Sequence, residues 1–138
     1  MKRLIWLDDL RDPFEKDGEW LVFSPIEHPY EVHWVKSYEE FVGWITVNGL
    51  PNAICFDHDL GEDAAKEKVA KGMNKKKARL EKKLAKSGFD CAKWLVEHCM
   101  DWGLDLPKWN VQSANPVGKD NINGLLSGYL KFSLENPK

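Results

Sequence analysis

Two short apolar segments of this chain run directly into acidic residues. Residues 4–7 (LIWL) and residues 53–56 (AICF) are both uninterrupted apolar runs. Such a run is typical of a strand that is buried on both faces of a parallel sheet. The carboxyl ends of parallel strands meet at one edge of the sheet. Ligands bind at this edge, at the point where the strand order reverses. We therefore predict a functional site at these two strand ends, formed by Asp8, Asp9, Asp57, His58 and Asp59.

The rest of the chain alternates between strand and helix patterns. Residues 32–35 and 109–111 predict two further strands. Apolar residues at helical spacing predict three helices. The first begins at a capping box formed by Ser37 and Glu40, the second near residue 89 and the third near residue 122. Alternating strands and helices imply right-handed crossovers. We therefore predict a three-layer α/β fold, a parallel sheet of about four strands with helices on both faces.

A strongly basic segment, residues 62–87, interrupts this alternation. It holds ten lysines and arginines against four acidic residues, a net charge of +6, whereas the rest of the chain has a net charge of −8. The pattern predicts a helical insertion, either a solvated helix or a mobile cover whose lysines reach a polyanionic ligand or RNA. Its apolar residues form only a narrow stripe, Val69, Met73, Leu80 and Leu84.

Residues 10–30 contain three prolines and no helical periodicity. This composition predicts a long loop, with a short extended piece at residues 20–23. Trp20 in this piece would lie near the site, whereas the other six tryptophans are interpreted as core residues. His28, His33 and His98 have no acidic neighbours in a strand end, so we interpret them as structural or exposed.

Length and composition restrict the class of protein. A chain of 138 residues predicts a single domain, residues 1–138. Cys55, Cys91 and Cys99 form an odd set without a CxxC pair and suit reduced core thiols, so we expect a cytoplasmic protein, in the host cytoplasm if a phage encodes it. No apolar run is long enough to span a membrane. We expect neither a membrane nor DNA as a partner, and the oligomeric state stays open.

Carboxylates that crowd one edge of a sheet repel one another unless a cation or shared protons neutralise them. Hard oxygen ligands suit Mg²⁺ or Mn²⁺, so either ion is the expected cofactor. The alternative is that Asp8 or Asp9 only caps a turn and that Asp59 only accepts backbone hydrogen bonds. His58 lies between two acids and is a candidate general acid or base.

Residues 113–119 lead into the last predicted helix, whose N-terminus suits an anion such as a phosphate. The alternative is that Asn115 and the proline after it are ordinary turn and cap residues. Arg11 either binds the same phosphate through its guanidinium group or only neutralises the neighbouring aspartates.

Three strings in the sequence together resemble the cyclic-phosphate-processing receiver-like domains of bacteria and phages. They are LDDLRDP at residues 7–13, FDHDLG at residues 56–61 and SANPVG at residues 113–118. The resemblance implies a receiver/flavodoxin-like sheet and a role in opening cyclic phosphates on nucleotides or RNA ends. It also implies that Asp8, Asp9 and Asp57 bind Mg²⁺, that Asp57 occupies the phosphoacceptor position, and that Ser113 contacts phosphate.

One departure from the family concerns the end of the fourth strand. The family has His-Ser there, whereas this chain has Gln112 followed by Ser113. If two histidines share the acid and base roles in the family, this protein retains only His58. The departure therefore favours ligand binding without turnover.

Three functions are consistent with the sequence. The first is a metal-dependent phosphoesterase in which Asp9, Asp57 and His58 are catalytic and the phosphate is held by Arg11, Ser113, Asn115 and Lys119. The second is a binding module that sequesters a cyclic nucleotide, for example as a phage countermeasure to nucleotide-based immune signalling. The third is a receiver that is phosphorylated on Asp57, which we rank last because no fifth strand is evident.

Overall fold

Four strands form one parallel sheet. The computed structural model describes residues 1–60 and 62–136, without the side chains of residues 16, 17, 62–65 and 82–84. The strand order is β2-β1-β3-β4, with all three neighbouring pairs parallel. This confirms the predicted receiver/flavodoxin-like α/β fold with four strands. The strands are β1 Lys2–Leu7, β2 Tyr30–Val35, β3 Ala53–Phe56 and β4 Lys108–Val111.

Among the described residues, five α-helices and one 3-10 helix connect and follow the strands. No helix in the described ranges is long and apolar enough to cross a membrane. The α-helices are α1 Tyr38–Asn48, α2 Glu62–Ala70, α3 Lys75–Leu84, α4 Gly88–Trp102 and α5 Pro116–Glu135, and the 3-10 helix is Glu15–Phe23.

The 3-10 helix corrects the prediction of a loop with an extended piece at residues 20–23. Trp20, Leu21 and Phe23 pack on the sheet from this helix. Residues three apart lie above one another in a 3-10 helix, so Trp20 and Phe23 point the same way. The periods of 3.6 and 2 residues that mark an α-helix and a strand do not detect this pattern.

The two faces of the sheet are covered differently. On one face, strand residues such as Ile5, Ile54 and Phe56 pack against α1, α4 and α5. On the other face, Leu4 and Trp6 pack against the 3-10 helix and its flanking loop. Right-handed crossovers explain the difference. The chain moves along the sheet in one direction from β1 to β2 and in the other direction from β2 to β3 and β4. Right-handed connections that run in opposite directions lie on opposite faces of a sheet. Both faces are covered, as predicted, but the second layer contains no α-helix among the described residues.

Local capping residues fix where the main helices begin and end. The Ser37 hydroxyl accepts a hydrogen bond from the Glu40 amide at 3.1 Å, which is half of the predicted capping box. At the start of α4, Ser87 and Asp90 form a reciprocal capping box. Gly103 ends α4 in the left-handed conformation at φ 62°, which glycine adopts without strain. The Gly88 amide donates to the His58 carbonyl at 2.8 Å, which places the N-terminus of α4 at the site edge of the sheet.

The basic insertion forms two helices, α2 and α3, around a turn at Gly72 (φ 99°). Lys68 and Glu81 join the two helices at 2.7 Å. The predicted apolar stripe is wrong at Leu80, which is 60% exposed, because Ala78 is the buried residue among the described side chains of α3. The Leu84 side chain and Gly61 lie outside the described residues.

The three cysteines are free and buried, as expected for core thiols. Burial raises the pKa of Cys55 to about 12. Because the thiolate is the reactive form, this residue is chemically inert at neutral pH.

Candidate functional site

The three predicted metal-binding aspartates lie together at the carboxyl ends of β1 and β3, the point at which the strand order reverses. Asp8, Asp9 and Asp57 each offer a carboxylate oxygen within 4.8 Å of the others. Their exposed fractions are only 1%, 4% and 8%. The sheet holds them in place, since the Asp57 amide donates to the Leu7 carbonyl at 2.9 Å and the Asp8 amide donates to the Val35 carbonyl at 3.1 Å. We call these three carboxylates the acidic cluster.

Burial and mutual repulsion make the acidic cluster costly to ionise. The pKa of Asp57 is raised to about 7, first by burial and then by the negative charge of Asp8. Arg11 acts in the opposite direction and lowers the pKa of Asp57. A divalent cation would remove the repulsion more completely than one partly exposed guanidinium.

The two carboxylate oxygens of Asp8 have different partners. Its Oδ1 accepts hydrogen bonds from the amides of Leu10 and Arg11, both at 3.0 Å. This is the turn-capping role that we considered as an alternative. Its Oδ2 is buried and accepts no hydrogen bond from the described residues, although it lies 3.6 Å from Arg11 Nη1. One oxygen therefore fixes the turn, while the other has only the Arg11 ion pair and could also bind a cation.

Arg11 is held by the protein itself. Its Nη1 donates to the Gln112 carbonyl and lies near Asp8, and its guanidinium stacks over the Trp20 ring at 5.1 Å. The Trp6 indole also donates to the Arg11 carbonyl at 2.9 Å. These contacts correspond to neutralisation of the aspartates, the second of our two interpretations. They also explain why Trp20 lies beside the site.

His58 faces α5 rather than the acidic cluster. Its Nδ1 lies 3.0 Å from Asp59 Oδ1, and its ring packs on Gly118 in the first turn of α5. A Cβ atom on Gly118 would lie 2.3 Å from His58 Cγ, so only glycine fits there. The side chain remains 21% exposed and is accessible to a ligand. The acidic cluster and His58 are thus neighbouring but distinct parts of the site.

Gln112 fills the end of β4. Its side chain is 4% exposed, and its Nε2 donates to the Leu7 carbonyl at 3.1 Å. Its Oε1 is buried without a hydrogen-bond partner among the described residues. A glutamine cannot exchange a proton near neutral pH, so this position supplies hydrogen bonds and no acid or base.

The predicted phosphate-binding residues on the way into α5 are partly used for capping. Asn115 Oδ1 accepts from the Gly118 amide at 3.1 Å and caps α5, as in the alternative interpretation. Ser113 Oγ accepts from the Asn115 amide at 3.1 Å, which leaves its own proton free to donate. Lys119 is exposed on the first turn of α5. Phosphate binding by these residues stays a prediction.

A groove of about 330 Å³ beside Asp9 was missed by the sequence analysis. It is lined by Lys36, Tyr38 and Lys86, together with Glu39, Glu40 and Glu67. Lys36 directly follows the carboxyl end of β2, so the rule that placed the aspartates could also have found Lys36. Lys86 belongs to the insertion, and no sequence signal places it here.

The fold and this acidic strand edge are those of a receiver-like α/β domain. The sequence profile of the cyclic-phosphate processing receiver domain matches residues 3–128, and the chain belongs to this family. A solved structure titled as yeast Spc42 trimeric coiled-coil amino acids 181–211 fused to another structure is similar in fold, with a TM-score of 0.50. The two sequences are 14% identical, over 98% of this chain and 80% of that chain. No match was found among proteins of curated function.

Proposed function

We propose that this protein is a metal-dependent phosphoesterase that opens a cyclic phosphate on a nucleotide or an RNA end. The proposal rests on the acidic cluster, three buried carboxylates within 4.8 Å in a domain of the cyclic-phosphate processing family. Such a cluster is unfavourable in its fully ionised form without a counter-charge, and hard oxygen donors suit Mg²⁺ or Mn²⁺. Asp8, Asp9 and Asp57 would hold the ion, which polarises a phosphoryl oxygen when bound.

The proton transfer is assigned to His58. Ring opening forms a bond from a water oxygen to phosphorus and breaks one ribose oxygen–phosphorus bond; the water loses a proton and the leaving oxygen gains one. With Nδ1 turned toward Asp59, Nε2 is the nitrogen of His58 that exchanges protons with a ligand. Ser113 and Lys119 would hold the phosphate, the former as a hydroxyl donor and the latter through its charge.

A specific observation favours a second function, sequestration of a cyclic nucleotide without hydrolysis. Gln112 is buried at the position where we expected the second histidine of the family, and it donates to a backbone carbonyl. With one histidine, the base and acid roles fall on the same residue, or the activation of water falls to the cation. A binder needs only hydrogen bonds from the same residues.

A panel of 2′,3′- and 3′,5′-cyclic nucleotides and an RNA with a cyclic phosphate end separates the two functions. Each would be incubated with the protein in Mg²⁺, Mn²⁺ or EDTA, and products would be identified by mass. A cation-dependent gain of one water supports the phosphoesterase, and tight binding with an unchanged mass supports the binder. Neither product nor binding with any of these ligands would contradict both.

The matched control for the cation is a pair of conservative variants. Asp57→Asn removes one carboxylate from the acidic cluster, whereas Asp101→Asn removes an exposed carboxylate at the end of α4. We expect turnover to fall in the first variant and to be unchanged in the second. Equal activity of the two variants would exclude the acidic cluster as the metal site.

A further inference from the structure

The insertion concentrates exposed positive charge on one part of the surface. We call residues 62–87, which comprise α2, α3 and the segment up to Ser87, the basic hairpin; its net charge is +6. Within the described residues, ion pairs engage two of its lysines, Lys68 with Glu81 at 2.7 Å and Lys71 with Glu67 at 2.9 Å. The exposed basic residues without an ion pair in this part are Lys66, Lys75, Lys76, Lys77, Arg79 and Lys86.

α3 directs much of this charge away from α2. Ala78 is buried and Glu81 pairs with Lys68 of α2, so both mark the inner side of α3. At 100° per residue, Lys76 and Arg79 lie on the outer side, and the exposed Lys75 lies between the inner and outer sides. These three residues form a cationic strip that spans a rise of about 6 Å along α3.

The basic hairpin leads toward the acidic cluster. Lys86, at its end, lines the groove that Asp9 also lines, and its Nζ lies 4.2 Å from the centre of the Tyr38 ring. Lys36 lines the same groove from the end of β2. Because Glu39 and Glu40 also line it, the groove by itself does not favour a polyanion.

We propose that the basic hairpin binds the phosphodiester backbone of an RNA strand whose end lies at the acidic cluster, so that the substrate is a polynucleotide. This inference rests on the proposed function, which is the reason for taking the bound polyanion to be RNA. Outside the hairpin the chain carries a net charge of −8, which repels a polyanion, so the hairpin is the surface that attracts one. A cyclic mononucleotide carries one phosphate, whereas the described part of the hairpin presents six exposed basic residues without an ion pair.

The test compares two triple variants that each remove three positive charges. Lys75→Gln/Lys76→Gln/Arg79→Gln alters the strip, and Lys2→Gln/Lys108→Gln/Lys131→Gln alters exposed lysines elsewhere. Binding of a fluorescent single-stranded RNA with an unreactive 3′-hydroxyl end is measured by anisotropy across a salt series. Three lost phosphate contacts reduce the slope of log affinity against log salt by about 2 and the affinity by about tenfold or more in the strip variant alone.

Two further arms separate the possible causes. Turnover of a cyclic mononucleotide should be the same in the strip variant as in the wild type. If neither the wild type nor any variant turns it over, the proposed function is contradicted, whereas RNA binding can still be measured. Equal losses in the two triple variants would overturn the assignment to the hairpin. Poly-glutamate that binds as tightly as RNA at equal charge would overturn RNA in favour of an acidic protein partner.

Discussion

The acidic cluster and the basic hairpin carry opposite charges in opposite settings. Asp8 in the cluster is 1% exposed and is fixed by backbone hydrogen bonds, whereas Lys75 and Arg79 in the hairpin are exposed. Buried charges interact strongly because little water screens them, and exposed charges are screened by salt within about 10 Å. The cluster therefore suits short-range chemistry that needs fixed positions. The hairpin suits weak, additive attraction of a long ligand.

The largest expected effect is the loss of turnover when His58, which neighbours the acidic cluster, is replaced. His58→Ala should reduce turnover of a cyclic phosphate by about 10² to 10⁴-fold, because a general acid or base acts only in the transition state. The affinity for the substrate should stay within a few-fold. Initial rates and equilibrium binding measure the two quantities separately.

The control for His58 is His28→Ala, since His28 is exposed and stacks on Tyr30 at 4.3 Å, at the amino end of β2 and away from the carboxyl ends of the strands. In a protein that only binds, His58→Ala would instead weaken affinity by about 1 to 3 kcal/mol through a lost hydrogen bond. Gln112→His then tests whether a second histidine creates turnover. Unchanged binding and turnover in all three variants would place the function elsewhere.

The next largest effect concerns the close packing of the strand ends against the helices. A Cβ atom at Gly88 would lie 1.8 Å from the Asp57 carbonyl oxygen, whereas one at Gly128 on α5 would meet nothing within 4 Å. Gly88→Ala should lower the free energy of unfolding by about 1 to 3 kcal/mol or more. Gly128→Ala should raise it by up to about 1 kcal/mol. Denaturant unfolding that gives both variants the same sign would contradict the packing described here.

A smaller effect links Asp57 to pH. Its pKa is about 7 in the folded protein against 3.8 for an ordinary aspartate, so between these values the folded state binds more protons than the unfolded state. Without a divalent cation, this group should therefore make stability fall as pH rises from about 4 to about 7. Thermal midpoints across this range should show a smaller fall in Asp57→Asn than in Asp101→Asn.

Mg²⁺ should reverse this loss above pH 7, because a ligand that binds only the folded state stabilises it by mass action. The rise in thermal midpoint should be absent from Asp57→Asn. An equal rise in Asp57→Asn and Asp101→Asn would show that the cation binds elsewhere.

The smallest effect is expected from removing the basic hairpin. α2 and α3 pack on each other and are joined by the Lys68–Glu81 pair, so replacing residues 62–87 by a short Gly/Ser linker should leave cooperative unfolding of the sheet and its helices intact. The same deletion should weaken RNA binding. Loss of cooperative unfolding in a thermal melt would show that the hairpin is part of the core.

Part of the molecule could be predicted because its signals are local. The apolar run at residues 53–56 matches β3 at both ends, and Gly103 ends α4 as predicted. The acidic cluster followed from the same strands, because the carboxyl ends of parallel strands meet at one edge. The 3-10 helix was missed because its three-residue period differs from that of an α-helix or a strand.

What the sequence determined by itself is the set of strands, the main helices and the aspartates at the strand ends, since these depend on periodicity and on chain order. The tertiary structure decided which partner each side chain meets. Arg11 is bound to the Gln112 carbonyl 101 residues away, and His58 packs on Gly118 rather than joining the aspartates. Lys86 reaches the groove beside Asp9 although 77 residues separate the two in the chain. Such contacts depend on how helices and loops pack in three dimensions, and no local pattern encodes that packing.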